Sequence, residues 1–203
     1  MSFSRLLLVA ASSKKSIAGE GNDKVLVSPK ISLPGRDAYE GEVILCFQLD
    51  ERTDRGKQIR RSLGITEENQ KCDGLIFYAQ DEKTERVICL VEMKGTNISE
   101  APGQLIATKD HLEKLLHDEC NSLPEECRSD CRKQIARIIW KACLYHHGSS
   151  DKDLVDAQRK LKDQGFSDVA TPTAASNDLR SLLSGKGRDP RDMARKYKGG
   201  KRR

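Results

Sequence analysis

Apolar residues in this chain cluster in short runs separated by charged stretches, and the spacing inside each run distinguishes strands from helices. Cys72–Tyr78 and Val87–Met93 are compact apolar runs rich in β-branched and aromatic residues, with the charged, turn-like segment Gln80–Arg86 between them. That pattern predicts two strands joined by a polar turn. Glu42–Leu49 (EVILCFQL) predicts a third strand, entering the sheet beside them. Lys133–Tyr145, containing IARIIWKACLY, predicts a fourth, with Trp140 in the core. Pro29 and Pro34 demote Val25–Leu33 to an edge strand or an extended connection. Residues 1–24 open on a brief apolar patch, a short strand or helix turn, and continue as a loop.

Helical periodicity appears after residue 98. Ser99–Glu119 carries Leu105, Leu112, Leu115 and Leu116 as one apolar stripe, with Ser99 as the expected cap and Pro102 tolerated in the first turn. Lys109 and Lys114 fall on its polar side and are expected to be solvated. Lys152–Gln164 predicts a second helix, with Leu154, Ala157 and Leu161 on one face and Gly165 as its terminator. Phe166–Ala170 suits a last short strand, and Ser176–Leu183 one more helix capped by Ser176 or Asn177. Asn121–Asp130 reads as an acidic loop. Asp50–Gln70 reads as a long loop or a short helix. Its Arg52, Arg55, Lys57, Arg60 and Arg61 could reach phosphate, although a run of mixed sign is more simply solvated. The expected class is therefore α/β, a mixed central sheet flanked by helices over residues 1–184, followed by a basic tail over 185–203.

Charge distribution sharpens the division. The chain is 203 residues with a formal charge of +5, yet residues 186–203 alone hold nine basic residues and two acids, a net of +7. The remainder is near neutral. A basic segment on a neutral body is expected to be disordered until it meets a polyanion. No run approaches a membrane span, and Leu6–Ala11 is too short for a convincing signal segment. Seven cysteines, an odd number, include Cys46, Cys72 and Cys89 in apolar strands. They fit a reducing compartment, and a cytoplasmic location is the expectation.

Two charges stand where a buried strand should have none. Glu92 and Lys94 are two apart, so a strand points both to one face. Asp73 opens the partner strand, and hairpin pairing could bring it beside Glu92. A carboxylate pair with a neighbouring ammonium on rigid strands can hold a hard divalent cation and stabilise a phosphodiester transition state.

Asp73, followed by Glu92-Met93-Lys94 at the end of the next strand, resembles the PD-(D/E)xK nuclease superfamily, which has the restriction-endonuclease-like fold. The similarity extends to the polar loop after Gly95 and to Gln104-Leu105 opening an amphipathic helix. Cys72 stands where the motif's name has proline. The resemblance implies a metal-dependent nuclease acting on nucleic acid, DNA in the first instance. Asp73 and Glu92 would be ligands of Mg²⁺ or Mn²⁺, with the Met93 carbonyl facing the metal and Lys94 as catalytic lysine. Gln104 would touch substrate or position Lys94, unless it is only a polar residue on the helix flank. A further acid is expected from the N-terminal side, where Glu40 and Glu42 are the nearest candidates and neither is assigned. The resemblance also suggests a restriction or anti-phage defence component, and a homodimer or a subunit of a larger complex. The alternative is a non-cleaving nucleic-acid-binding or scaffolding subunit of the same fold.

Cys120, Cys127, Cys131 and Cys143, followed by His146 and His147, invite comparison with a zinc site. Only Cys127 and Cys131 have ligand-like spacing, so unpaired structural thiols are the simpler expectation. The basic tail yields a direct test. Removing residues 186–203 should leave folding intact, weaken nucleic-acid affinity and flatten its salt dependence, because fewer counterions are released. An unchanged salt slope in a binding titration would assign the tail to another partner.

Overall fold

The computed structural model describes residues 25–28, 31–33, 42–50, 54–66, 71–80, 86–94, 98–146, 149–172 and 179–184. Two short strands, β1 (Val25–Ser28) and β2 (Ile31–Leu33), pair antiparallel as a separate ribbon. Pro29, which cannot donate to a ladder, lies between them and not within either.

The main sheet begins with β3 (Glu42–Gln48), β4 (Gly74–Gln80) and β5 (Arg86–Met93), an antiparallel meander. The chain then crosses through α2 (Ala101–Asn121) and α3 (Glu125–Ile135) to β6 (Ile138–Tyr145), which lies parallel to β5. A second crossover, α4 (Asp151–Asp163), leads to β7 (Asp168–Ala170), parallel to β6. The sheet order is β3-β4-β5-β6-β7. Before β4, the segment 54–62 is α1 (Asp54–Ser62), and the chain closes its described part with α5 (Arg180–Ser184). This is a mixed α/β sheet with flanking helices, as the apolar pattern predicts.

Strand alternation sorts the core into two faces. Leu75, Ile88, Leu90, Ala142 and Leu144 face one way and pack with Leu105, Leu112, Ala157 and Leu161 of α2 and α4. Ile76, Cys89, Val91, Cys143 and Tyr145 face the other way, against Leu179, Leu182 and Leu183 around α5. Being central, β5 is buried on both faces, which accounts for its continuous run VICLV. Each fully buried Leu or Ile contributes roughly 1.5–3 kcal/mol.

Several local expectations are corrected. Glu100, not Ser99, is the N-cap of α2, and no side chain caps it. Residues 125–135, read as loop and strand start, form α3, whose first turn holds Glu125 and Glu126 and whose last holds Arg132 and Lys133, complementing the helix dipole. Lys109 is buried, not solvated: it pairs with Glu113 at 2.8 Å and lies over the Trp140 ring. Trp140 is core, as expected. Residues 173–178, with both candidate caps of the last helix, lie outside the described residues, as do 1–24 and 185–203.

Two helices stop by the same device. Gly165 has φ +84°, its N–H donates to the Lys162 carbonyl, and the Phe166 N–H donates to Leu161. Gly64 has φ +64°, with its N–H on Arg61 and that of Ile65 on Arg60. Each left-handed glycine satisfies carbonyls left over at a helix end and turns an apolar residue, Phe166 or Ile65, into the core. A Cβ on Gly165 would meet only ordinary contacts, so backbone strain alone sets the cost. Gly165→Ala should lower the unfolding free energy by about 1 kcal/mol in chemical denaturation. No loss would contradict the left-handed end.

Candidate active site

Pairing of β4 with β5 sets Gly74 opposite Val91, so Asp73 lies across from Glu92 at the end of both strands. The two acids are cross-tied. The Asp73 N–H donates to Glu92 Oε2 at 3.1 Å, and the Met93 N–H donates to Asp73 Oδ2 at 2.6 Å. Lys94 Nζ lies 2.9 Å from Glu92 Oε1, and the Lys94 N–H extends the parallel ladder to the Tyr145 carbonyl at 2.9 Å. The structure thus brings together Asp73, Glu92 and Lys94 on the face that carries Leu90 and Leu144. The Met93 side chain is half-buried and packs on the opposite face.

The electrostatics are unusual for a strand end. Glu92 is 1% exposed while Lys94 beside it is 22% exposed. Burial, reinforced by the charge of Asp73, pushes the Glu92 carboxyl up to about 7, against the pull of Lys94. Asp73 is also raised, first by burial and then by Asp50, with the Met93 N–H and Lys94 opposing. Two crowded carboxylates with raised proton affinity are a donor set that a hard divalent cation would relieve, so the residues fit Mg²⁺ or Mn²⁺. Asp73 Oδ1 accepts no hydrogen bond from a described residue. Among the described residues no three His, Cys, Asp or Glu side chains gather into a metal-holding group, so these acids stand as a pair.

Gln104 occupies a place the sequence does not indicate. Its Nε2 donates to the Lys71 carbonyl at 3.2 Å, and its Oε1 is buried without a partner among the described residues. One turn on, Thr108 Oγ1 accepts from the Cys72 N–H at 3.0 Å and donates to the Gln104 carbonyl at 2.8 Å. Gln104 and Thr108 therefore clamp the main chain that delivers Asp73, and among the described residues Gln104 bonds to Lys71 and not to Lys94.

Glu42 does not join these acids. That residue pairs with Gln80 at the far end of the sheet, and Glu40 lies outside the described residues. Asp50, unremarked in the sequence pattern, is the acid near Asp73: its N–H donates to the Asp73 carbonyl at 3.4 Å and its charge raises Asp73. Continuing the hairpin register past Gln48 opposite Gly74 would have found it.

The four candidate thiols do not gather at one point. Cys120 and Cys131 meet across α2 and α3, where Cys120 also donates to the Arg128 carbonyl at 3.6 Å, but Cys143 lies in the core of β6 and Cys127 is exposed. All seven are free, and burial pushes the thiols of Cys46, Cys72 and Cys143 up to about 12. His146 is buried, and His147 lies outside the described residues. No helix among the described residues is long and apolar enough to cross a membrane. No protein-family model matches the chain, and no curated protein is significantly similar to it.

The raised Glu92 carboxyl sets the sign of a pH effect. Its folded value of about 7 lies above its ordinary 4.5, so the unfolded chain releases this proton first as pH rises. Stability without divalent cation should fall from about pH 4.5 to 7, by at most roughly 3 kcal/mol from this group. Thermal melts of wild type and Glu92→Gln in chelator across that window provide the test. The variant should show the flatter profile, and parallel profiles would refute the buried, ionising Glu92.

Proposed function

We propose that this chain is a metal-dependent phosphodiesterase of nucleic acid, with DNA as the favoured substrate, and a member of the PD-(D/E)xK nuclease superfamily. The observation that carries this reading is Glu92, a nearly inaccessible carboxylate cross-tied to Asp73 and paired with Lys94. A purely structural strand end gains nothing from two such acids, because a buried charge pair rarely outperforms apolar packing. The mixed sheet with both acids at the ends of adjacent antiparallel strands agrees with a restriction-endonuclease-like core. Seven free cysteines suit a reducing compartment such as the cytoplasm. A defence role, and action as a homodimer or within a larger complex, follow from the resemblance alone.

Asp73 and Glu92 would hold Mg²⁺ or Mn²⁺, which when bound supplies a water of lowered pKa and neutralises charge developing on the phosphate. The chain's own groups do the positioning. The Met93 N–H fixes the rotamer of Asp73, and the Asp73 N–H fixes that of Glu92, so neither acid must be ordered when substrate arrives. Lys94 places an ammonium at the solvent-facing edge of the pair. There it can donate to the attacking water or to a non-bridging phosphate oxygen as the pentavalent state forms. The Gln104–Lys71 and Thr108–Cys72 bonds keep Asp73 from drifting off Glu92.

Purified protein should degrade linear or circular DNA with Mg²⁺ and be inert in chelator. Asp73→Asn and Glu92→Gln should abolish both cleavage and metal binding while leaving the chain folded. Lys94→Ala should still bind metal and nucleic acid but lose turnover by about two orders of magnitude or more. Nuclease assays, metal titration and thermal melts on the same three variants check this. Wild-type cleavage by Glu92→Gln would overturn the assignment. Binding of nucleic acid by wild type without cleavage under any divalent cation would favour the non-cleaving subunit instead.

A further inference from the structure

A second charged feature adjoins the acids and has no part in holding them. The last turns of α1 and the segment after it line an open pocket of about 510 Å³, bordered by Lys57, Arg60, Arg61, Gly64, Ile65 and Thr66. The three basic residues are spaced i, i+3 and i+4, so they share one helix face, with neighbouring side chains about 5–6 Å apart at their bases. They differ in occupation. Arg60 is buried and donates to the Leu49 carbonyl at 3.0 Å, so its guanidinium is a structural strut. Lys57 is half-exposed and, among the described residues, has only a long, exposed contact of 3.6 Å with Asp54, a pairing worth little in water. The Arg61 side chain is exposed and makes no hydrogen bond or ion pair with another described residue. Two cations therefore face the pocket without a committed partner among the described residues.

Position gives the cavity its meaning. Arg60 holds the Leu49 carbonyl, and the Leu49 N–H donates to the Asp73 carbonyl at 2.8 Å. One residue, Leu49, thus links the basic pocket to the candidate ligand Asp73. Leu63 and Ile65, at its base, belong to the same core as Leu90 and Leu144, so cavity and acids lie on one side of the sheet. His111 of α2 bonds the Leu63 carbonyl at 2.8 Å and fixes that base. Mixed-sign sequence around α1 suggests a solvated segment, but folding gathers the cations and sends Asp54, 96% exposed, to solvent.

We propose that Lys57 and Arg61 form a phosphate-binding subsite that grips the backbone of a nucleic-acid strand extending from the Asp73–Glu92 centre. The proposal rests on the phosphodiesterase reading for its substrate, but its binding test does not depend on cleavage. The contact is with phosphates and carries no base recognition. It holds the strand beside the acids, so the scissile phosphate is presented without a sequence-reading module.

The test is the double variant Lys57→Ala/Arg61→Ala in the full chain, leaving the strut Arg60 intact. Binding of a fluorescently labelled DNA duplex is followed by anisotropy in chelator, over a series of KCl concentrations. Loss of two phosphate contacts should reduce the slope of log K against log salt by about 2, and weaken binding about tenfold near physiological salt. Thermal melting should be unchanged. Hydrolysis of bis(p-nitrophenyl) phosphate with Mg²⁺, a substrate too small to span both sites, should retain its wild-type rate. An unchanged slope and affinity would overturn the subsite. So would variants that lose binding of ATP while duplex binding stays intact, since the cavity would then serve a free nucleotide. If wild type hydrolyses neither DNA nor the small ester but the salt slope still drops in the variant, the phosphodiesterase reading fails and the subsite stands.

Discussion

Glu92 is buried as a carboxylate, and much of the surrounding geometry answers the cost of putting it there. Desolvation favours its neutral form, and a second acid next to it adds to that preference. The sheet offsets part of the cost with two fixed donors, the Asp73 N–H and the Lys94 ammonium. Neither donor could be in place without the strands on both sides. The residue just before β4 supplies the first, while the bond from Lys94 to Tyr145 on β6 pins the backbone that carries the second. The antiparallel neighbour and the parallel neighbour of β5 thus meet at one side chain. A carboxylate held this way is poised between protonated and ionised forms near neutrality, the condition in which a cation's arrival alters it most.

The reading of sequence was strongest where burial is continuous. VICLV on β5 and ILCF on β3 admit little besides strands packed against a core, and the E-x-K spacing then places Glu92 and Lys94 on one face without further information. It was weakest where tertiary contacts override composition. Lys109 pairs locally with Glu113, but it looks like a surface residue of α2 until Trp140 closes over it, a contact between segments that no local pattern contains. Residues 125–135 carry no apolar stripe and bury no side chain, so α3 is held by its terminal charges and by its place after α2 rather than by an amphipathic face. Gly64 was legible in principle. Its Arg-Arg-x-x-Gly-Ile context parallels the end of α4, but the charges around α1 leave helix and loop undecided in the sequence.

Site residues divide in the same way. Asp73, Glu92 and Lys94 could be read from strand parity alone, because their proximity follows from a two-strand register. Gln104 and Asp50 could not. The first depends on where a crossover helix lands on the sheet, and the second on continuing a register past the end of a strand. Thr108 was missed for a related reason: a hydroxyl that bonds a main-chain N–H leaves no mark in hydropathy. The residues that orient a site are often those whose partners are backbone groups, and sequence patterns record side chains.

Lys141 ties the rear of the sheet to the last described helix. Its buried ammonium donates to the Leu182 carbonyl, latching α5 onto the face turned away from the acids. Leu179, Leu182 and Leu183 complete that contact in one cluster with Ile76, Cys89 and Val91. Asp73 and Glu92 share the opposite face with Leu90 and Leu144. A change that loosens α5 therefore uncovers apolar surface behind the sheet and leaves the Asp73–Glu92 ties in place, so the two faces can fail separately.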